Sequence, residues 1–112
     1  MSLPIVGHFI GGEKVVSKSG RTAPVFDPAL GVETKLVALA NSDEINAAVA
    51  SAKAAFAEWR DVPQSKRQQI MFKFRELLNE RKGELAEIIT SEHGKVLSDA
   101  LGEITRGQEV VE

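Results

Sequence analysis

Between Asn41 and Arg60 the apolar residues Ile45, Ala48, Val49, Ala52, Phe56 and Trp59 recur at steps of three and four, which puts them on one stripe of an α-helix. Ser42 is the N-cap expected from this pattern, and Asp43 and Glu44 follow it where the helix dipole favours negative charge. Most of the stripe is alanine, so a partner surface must approach closely, with Phe56 and Trp59 adding bulk at the far end. Such a stripe reads as a docking face. Asp61-Val62-Pro63 then interrupts the period, and Ser65 with Gln68 three residues on is a capping-box pattern that predicts a second helix. Ile70, Met71, Phe74, Leu77 and Leu78 form its apolar face, with Lys66, Arg67, Lys73, Arg75 and Glu76 mostly opposite. Gly83 predicts a break or kink. A third helix carries Leu85, Ile88 and Ile89 to about His93, where Gly94 suits a left-handed C-cap. A fourth begins near Ser98-Asp99 with Leu97, Ala100, Leu101, Ile104, Gln108 and Val111 along one side. Its pattern is still running at Glu112 with no stop signal, so the expectation is a helical region, 41–112, truncated at its C-terminal end.

Ahead of the helices the period shortens. His8-Phe9-Ile10 and Glu13-Lys14-Val15-Val16 flank Gly11-Gly12, a β-hairpin signal, because paired glycines accept the positive φ of a tight turn. Ser17 to Arg21 is polar and loop-like. Thr22 to Phe26 forms a further short strand that Asp27-Pro28 ends, Ala29-Leu30-Gly31 completes the turn, and Val32 to Ala40 is a longer strand leading into the first helix. Residues 7–40 are thus a β lead-in, and residues 1–6 read as a leader, native or carried over from expression.

At 112 residues the chain has the length of one ordinary domain. Charged residues make up 27% with a net charge of −2 and both signs interspersed, which argues against nucleic acid or an anionic membrane as partner. The absence of cysteine excludes a disulfide framework, a thiolate metal site and a cysteine nucleophile within these residues. No apolar run is long enough to span a bilayer and the N-terminus lacks the features of a signal peptide, so the expected location is cytoplasmic.

Chemistry is sparse. His8 and His93 lie in different elements with no ligand cluster around them, and read as structural. Gly94-Lys95 lacks the upstream glycine and the following hydroxyl residue of a phosphate loop, and there is no G-x-G-x-x-G dinucleotide fingerprint. No catalytic, cofactor-binding or metal-binding residue is therefore expected in this stretch. Arg106 differs. It lies opposite the Leu97, Leu101, Ile104 stripe, with Gly102 one turn before it and Gly107 beside it, and a helical glycine costs roughly 1 kcal/mol relative to alanine unless something approaches closely. A guanidinium there suits bidentate capture of a carboxylate; the plain alternative is a pair with Glu103, three residues back.

Taken as a series, H-F-I-G-G-E, F-D-P-A-L-G-V, A-A-F-A-E-W, R-Q-Q-I-M-F-K-F-R-E-L-L, E-L-A-E-I-I-T-S-E-H-G-K and G-E-I-T-R-G, over residues 8–112, resemble the N-terminal region of an aldehyde dehydrogenase. Within that superfamily G-E-I-T-R-G-Q-E-V-V-E after S-E-H-G-K is most similar to the CoA-acylating methylmalonate-semialdehyde dehydrogenases, although Asp27 stands where the wider family usually has Asn. The resemblance implies an α/β fold, with the hairpin and strands followed by four helices as the first part of an NAD-binding domain. It also implies NAD-dependent oxidation of a semialdehyde through a cysteine thioester that CoA then takes up, in a homo-oligomer. Arg106 matches the arginine of the family's G-E-x-x-R-G stretch, which in the methylmalonate branch helps to bind the substrate carboxylate. The catalytic parts belong to later sequence, so these residues alone would be inactive. Two other readings stay open here, a non-acylating aldehyde dehydrogenase of another substrate class and an autonomous helical interaction module.

Overall fold

A computed structural model describes residues 2–112. It is α/β, with five short strands, β1 (Ile5–Val6), β2 (His8–Ile10), β3 (Glu13–Val15), β4 (Thr22–Asp27) and β5 (Val32–Ala38). Four helices follow, α1 (Ser42–Trp59), α2 (Gln64–Glu80), α3 (Lys82–His93) and α4 (Leu97–Val111). The chain divides into two compact units, one holding residues 2–26 and 32–61, the other residues 27–31 and 62–112.

In the first unit β2 and β3 pair antiparallel, His8 opposite Val15 and Ile10 opposite Glu13, across Gly11 (φ 62°) and Gly12 (φ 84°). Both turn residues need positive φ, which is why the glycine pair fixes the hairpin register. A second sheet has the order β1-β5-β4, β1 running parallel to β5 with Ile5 opposite Leu36. Ile5 and Val6, placed in the leader by sequence, thus belong to this sheet; two residues are too few to carry a period of their own, and only the partner strand reveals them. Pro24 sits in β4, at the sheet's margin, where a missing N–H leaves no ladder bond unmade. β5 ends at Ala38, two residues short of the expectation.

The N-cap of α1 is Asn41, not Ser42. Asn41 Oδ1 accepts the Glu44 N–H at 2.9 Å and Glu44 Oε2 accepts the Asn41 N–H at 2.9 Å, a complete capping box that makes Ser42 the first helical residue. The same carboxylate reaches the preceding loop, accepting the Lys18 N–H at 2.6 Å and the Ser17 hydroxyl at 3.1 Å, with His8 Nε2 3.5 Å away. Two backbone donors, first Asn41 and then Lys18, hold the Glu44 carboxyl down at about 2, helped by Ser17 and His8.

The second unit starts its helices without side-chain caps. α2 begins at Gln64, its Pro63 carbonyl accepting the Lys66 and Arg67 N–H groups, so the Ser65–Gln68 capping box does not form: Ser65 is already one residue inside the helix. The expected break at Gly83 falls at Arg81 (φ −103°, ψ 11°), the residue shared by the ends of α2 and α3. The Arg81 guanidinium grips the Glu84 carboxylate bidentately at 2.9 and 2.7 Å across this junction. Gly94, at φ 84°, closes α3 in the left-handed conformation, its N–H on the Thr90 carbonyl at 2.8 Å. The core of this unit is Ala86, Ala100 and Ile104, with Leu85, Ile89 and Leu101 around it; two of the buried residues are alanines because α3 and α4 lie close together. In the 27–31 turn, Asp27 Oδ1 accepts the Ala29 and Leu30 N–H groups at 2.9 and 3.3 Å. A carboxylate oxygen does there what the amide oxygen of an asparagine does, which accounts for the tolerance of Asp.

Candidate substrate-anchoring site

The charged side chains of Lys95, Glu103 and Arg106 gather on and beside α4. Its inner face is rooted: Ala100, Ile104 and Gln108 are buried at intervals of four residues. The outer face carries Gly102, Glu103 and Arg106, all exposed. Beyond the helix backbone, a Cβ added at Gly102 or Gly107 would meet nothing within 4 Å, so this face is open to an incoming group.

Arg106 is exposed and, among the described residues, forms no hydrogen bond or ion pair. The pair with Glu103 that helical spacing allows is not made. Glu103 is instead held by Lys95, from the short link between α3 and α4. The Lys95 side chain is only 18% exposed and that of Glu103 47%, so the lysine is largely packed in while the glutamate is half open. The Lys95 hydrogen bond is the main reason the Glu103 carboxyl lies below its ordinary value; the fields of His93 and, last, Arg106 add to it. In the sequence Lys95 figured in a failed phosphate-loop match and, with Gly94, in the S-E-H-G-K stretch of the family resemblance, where it read as a structural helix end. Its role depends on the αL turn at Gly94, which sends the chain back towards α4.

The remaining sequence candidates fall elsewhere. His8 faces Glu44 in the first unit, and His93 occupies the last turn of α3, where a cation suits the dipole. Among the described residues no three His, Cys, Asp or Glu side chains cluster to hold a metal, and no helix is long and apolar enough to cross a membrane. A dinucleotide does not fit the residues present. Among the described residues the one strand-to-helix turn, β5 to α1, has no glycine, and the N-terminus of α1 is already occupied by the Glu44 carboxylate, which would repel a phosphate. A cleft of about 680 Å³ in the first unit is lined by apolar residues such as Val6, Phe9, Val15 and Ala38, with His8, Lys14, Ser17, Arg21 and Thr22 among its polar lining.

Residues 15–112 match the model of the aldehyde dehydrogenase family. The chain is 49% identical over 105 residues to malonate-semialdehyde dehydrogenase 3 of Geobacillus kaustophilus, an alignment covering 94% of this chain and 22% of that protein. It is 41% identical over 111 residues to the human mitochondrial acylating methylmalonate-semialdehyde/malonate-semialdehyde dehydrogenase, covering 99% of this chain and 21% of the relative. Among solved structures, a Sinorhizobium meliloti 1021 chain complexed with NAD superposes with a TM-score of 0.95 at 44% identity, over 98% of this chain and 22% of that one. The methylmalonate-semialdehyde dehydrogenase of Oceanimonas doudoroffii gives 0.94 at 39%, over 97% and 22%. The chain therefore spans about a fifth of the length of the relatives it matches, and it belongs to the aldehyde dehydrogenase family.

Proposed function

We propose that this chain is the N-terminal portion of an NAD-dependent, CoA-acylating malonate- or methylmalonate-semialdehyde dehydrogenase, and that Arg106 receives the carboxylate of the substrate. The observation that carries the reading is an exposed guanidinium left without an internal partner on a helix whose opposite face is buried. A planar, permanently charged fork matches a carboxylate bidentately, and an aldehyde bearing a carboxylate at its far end needs such an anchor to present its carbonyl in one orientation. The names of the relatives, malonate- and methylmalonate-semialdehyde dehydrogenases, support the same substrate class.

Oxidation itself calls for a nucleophile and a dinucleotide site, and neither is made by these residues: the chain has no cysteine. This chain's contribution is to bind and orient, and alone it is inactive. The exposed stripe of α1, with Val49 62% and Phe56 58% exposed, supports a larger domain in which the stripe is covered. By family likeness the enzyme is a homo-oligomer that takes CoA as acyl acceptor, and the lack of signal-peptide features in the sequence supports a cytoplasmic location. The test is Arg106→Ala in the complete enzyme. A charge-assisted hydrogen-bonded pair is worth about 1.5–3 kcal/mol, so kcat/KM for the acidic semialdehyde is expected to fall roughly tenfold to a hundredfold more than that for propanal. Equal losses for both aldehydes would remove Arg106 from the substrate site. Turnover that proceeds to the free acid without CoA would point to the non-acylating branch.

A further inference from the structure

We propose that Lys95 is a positioning residue for the same site: by holding the Glu103 carboxylate it keeps Arg106 free to receive the anionic end of the substrate. The inference rests on Arg106 being the carboxylate anchor. Glu103 precedes Arg106 by three residues on α4, the acid-before-base order that favours a pair on a helix, and both side chains are exposed on that surface. With nothing else to bind, the nearest carboxylate would close on the guanidinium and compete with substrate. The structure shows that Glu103 is taken up elsewhere, on a lysine whose side chain is largely packed and so has few other geometries open to it. The other acid at three-residue spacing, Glu109, follows Arg106 in the less favoured order and is not paired with it. Gly102, four residues before Arg106, leaves the space on that side empty. One cation thus removes the competitor while the other remains to bind.

The arrangement is tested in the complete enzyme by comparing an acidic semialdehyde with propanal in four variants, Arg106→Ala, Lys95→Met, Glu103→Gln and the double variant Lys95→Met/Glu103→Gln. Lys95→Met releases Glu103, and KM for the acidic substrate is expected to rise roughly twofold, the upper end of what an exposed helical pair at this spacing is worth, with kcat and the propanal KM unchanged. Adding Glu103→Gln removes the competitor and restores the acidic KM. A Lys95→Met effect equal on both aldehydes, or one that Glu103→Gln fails to reverse, overturns the proposal. Should Lys95→Met fail to fold, Glu103→Gln alone decides: an acidic KM unchanged or lowered supports the proposal, and a raised one defeats it. If Arg106→Ala affects both aldehydes equally, the anchor reading itself fails. If Arg106→Ala is selective and Lys95→Met is silent, only the positioning role is lost.

Discussion

Gly94→Ala isolates the backbone device that brings Lys95 to α4. Gly94 ends α3 at φ 84°, a conformation that costs an L-residue with a Cβ roughly 1–2 kcal/mol. Its new methyl would also stand 3.0 Å from Pro28 Cγ and 3.7 Å from Pro28 Cβ, the first well inside the roughly 3.5–4.0 Å of a relaxed carbon contact. The Gly94 N–H bond to Thr90 survives the change, so no hydrogen bond enters the sum. Strain and crowding together give about 2–3 kcal/mol, near the upper range for a point substitution. Native-state hydrogen exchange of peptides from the α3–α4 link in the complete enzyme reads this directly, with exchange expected to accelerate on the order of 30-fold or more. Two further variants separate the contributions. Asparagine tolerates left-handed φ, so Gly94→Asn should retain mainly the Pro28 contact and cost about half as much. Pro28→Ala removes Cγ, and in the Gly94→Ala background should recover about 1 kcal/mol, because the Asp27 bonds that shape the 27–31 turn do not involve the proline ring. Unchanged protection in Gly94→Ala would refute the reasoning, for then neither the αL turn nor the Pro28 contact constrains the link.

Glu44→Ala should loosen the loop at Lys18 as well as the start of α1, because the two oxygens of one carboxylate serve both; exchange at Lys18 and Asn41 should rise together, and a rise at only one would mean the two are not coupled. Since the folded Glu44 carboxyl is depressed from 4.5 to about 2, its contribution is fully present above about pH 4.5 and is lost as the pH falls towards 2, so the Glu44→Gln and native proteins should converge in stability over that window. Ala86→Leu, at a fully buried contact between α3 and α4, should cost about 1–3 kcal/mol by overpacking, read as a lowered midpoint of thermal unfolding; an unchanged midpoint would show that the interface yields freely.

Much of this protein was written in its local pattern. The 3.6-residue period located all four helices, the Gly11-Gly12 pair the hairpin, and Gly94 the left-handed end of α3, because each of these rests on interactions within a few residues of chain. The series of short motifs carried the family, and spacing placed Arg106 on the face of α4 away from the core. What tertiary structure decided was competition among near-equal local partners. Ser42 and Asn41 both suit an N-cap, and Asn41 prevailed because Glu44 could complete the box and bind Lys18 from a distant loop at once. The break expected at Gly83 falls at Arg81, where the Arg81–Glu84 fork spans the junction of α2 and α3. Glu103 could pair with Arg106 along the helix, yet a lysine eight residues away in sequence claims it, because the turn at Gly94 brings that ammonium within reach. Helical spacing states which pairs are possible; which one forms depends on what else folding brings to the same carboxylate.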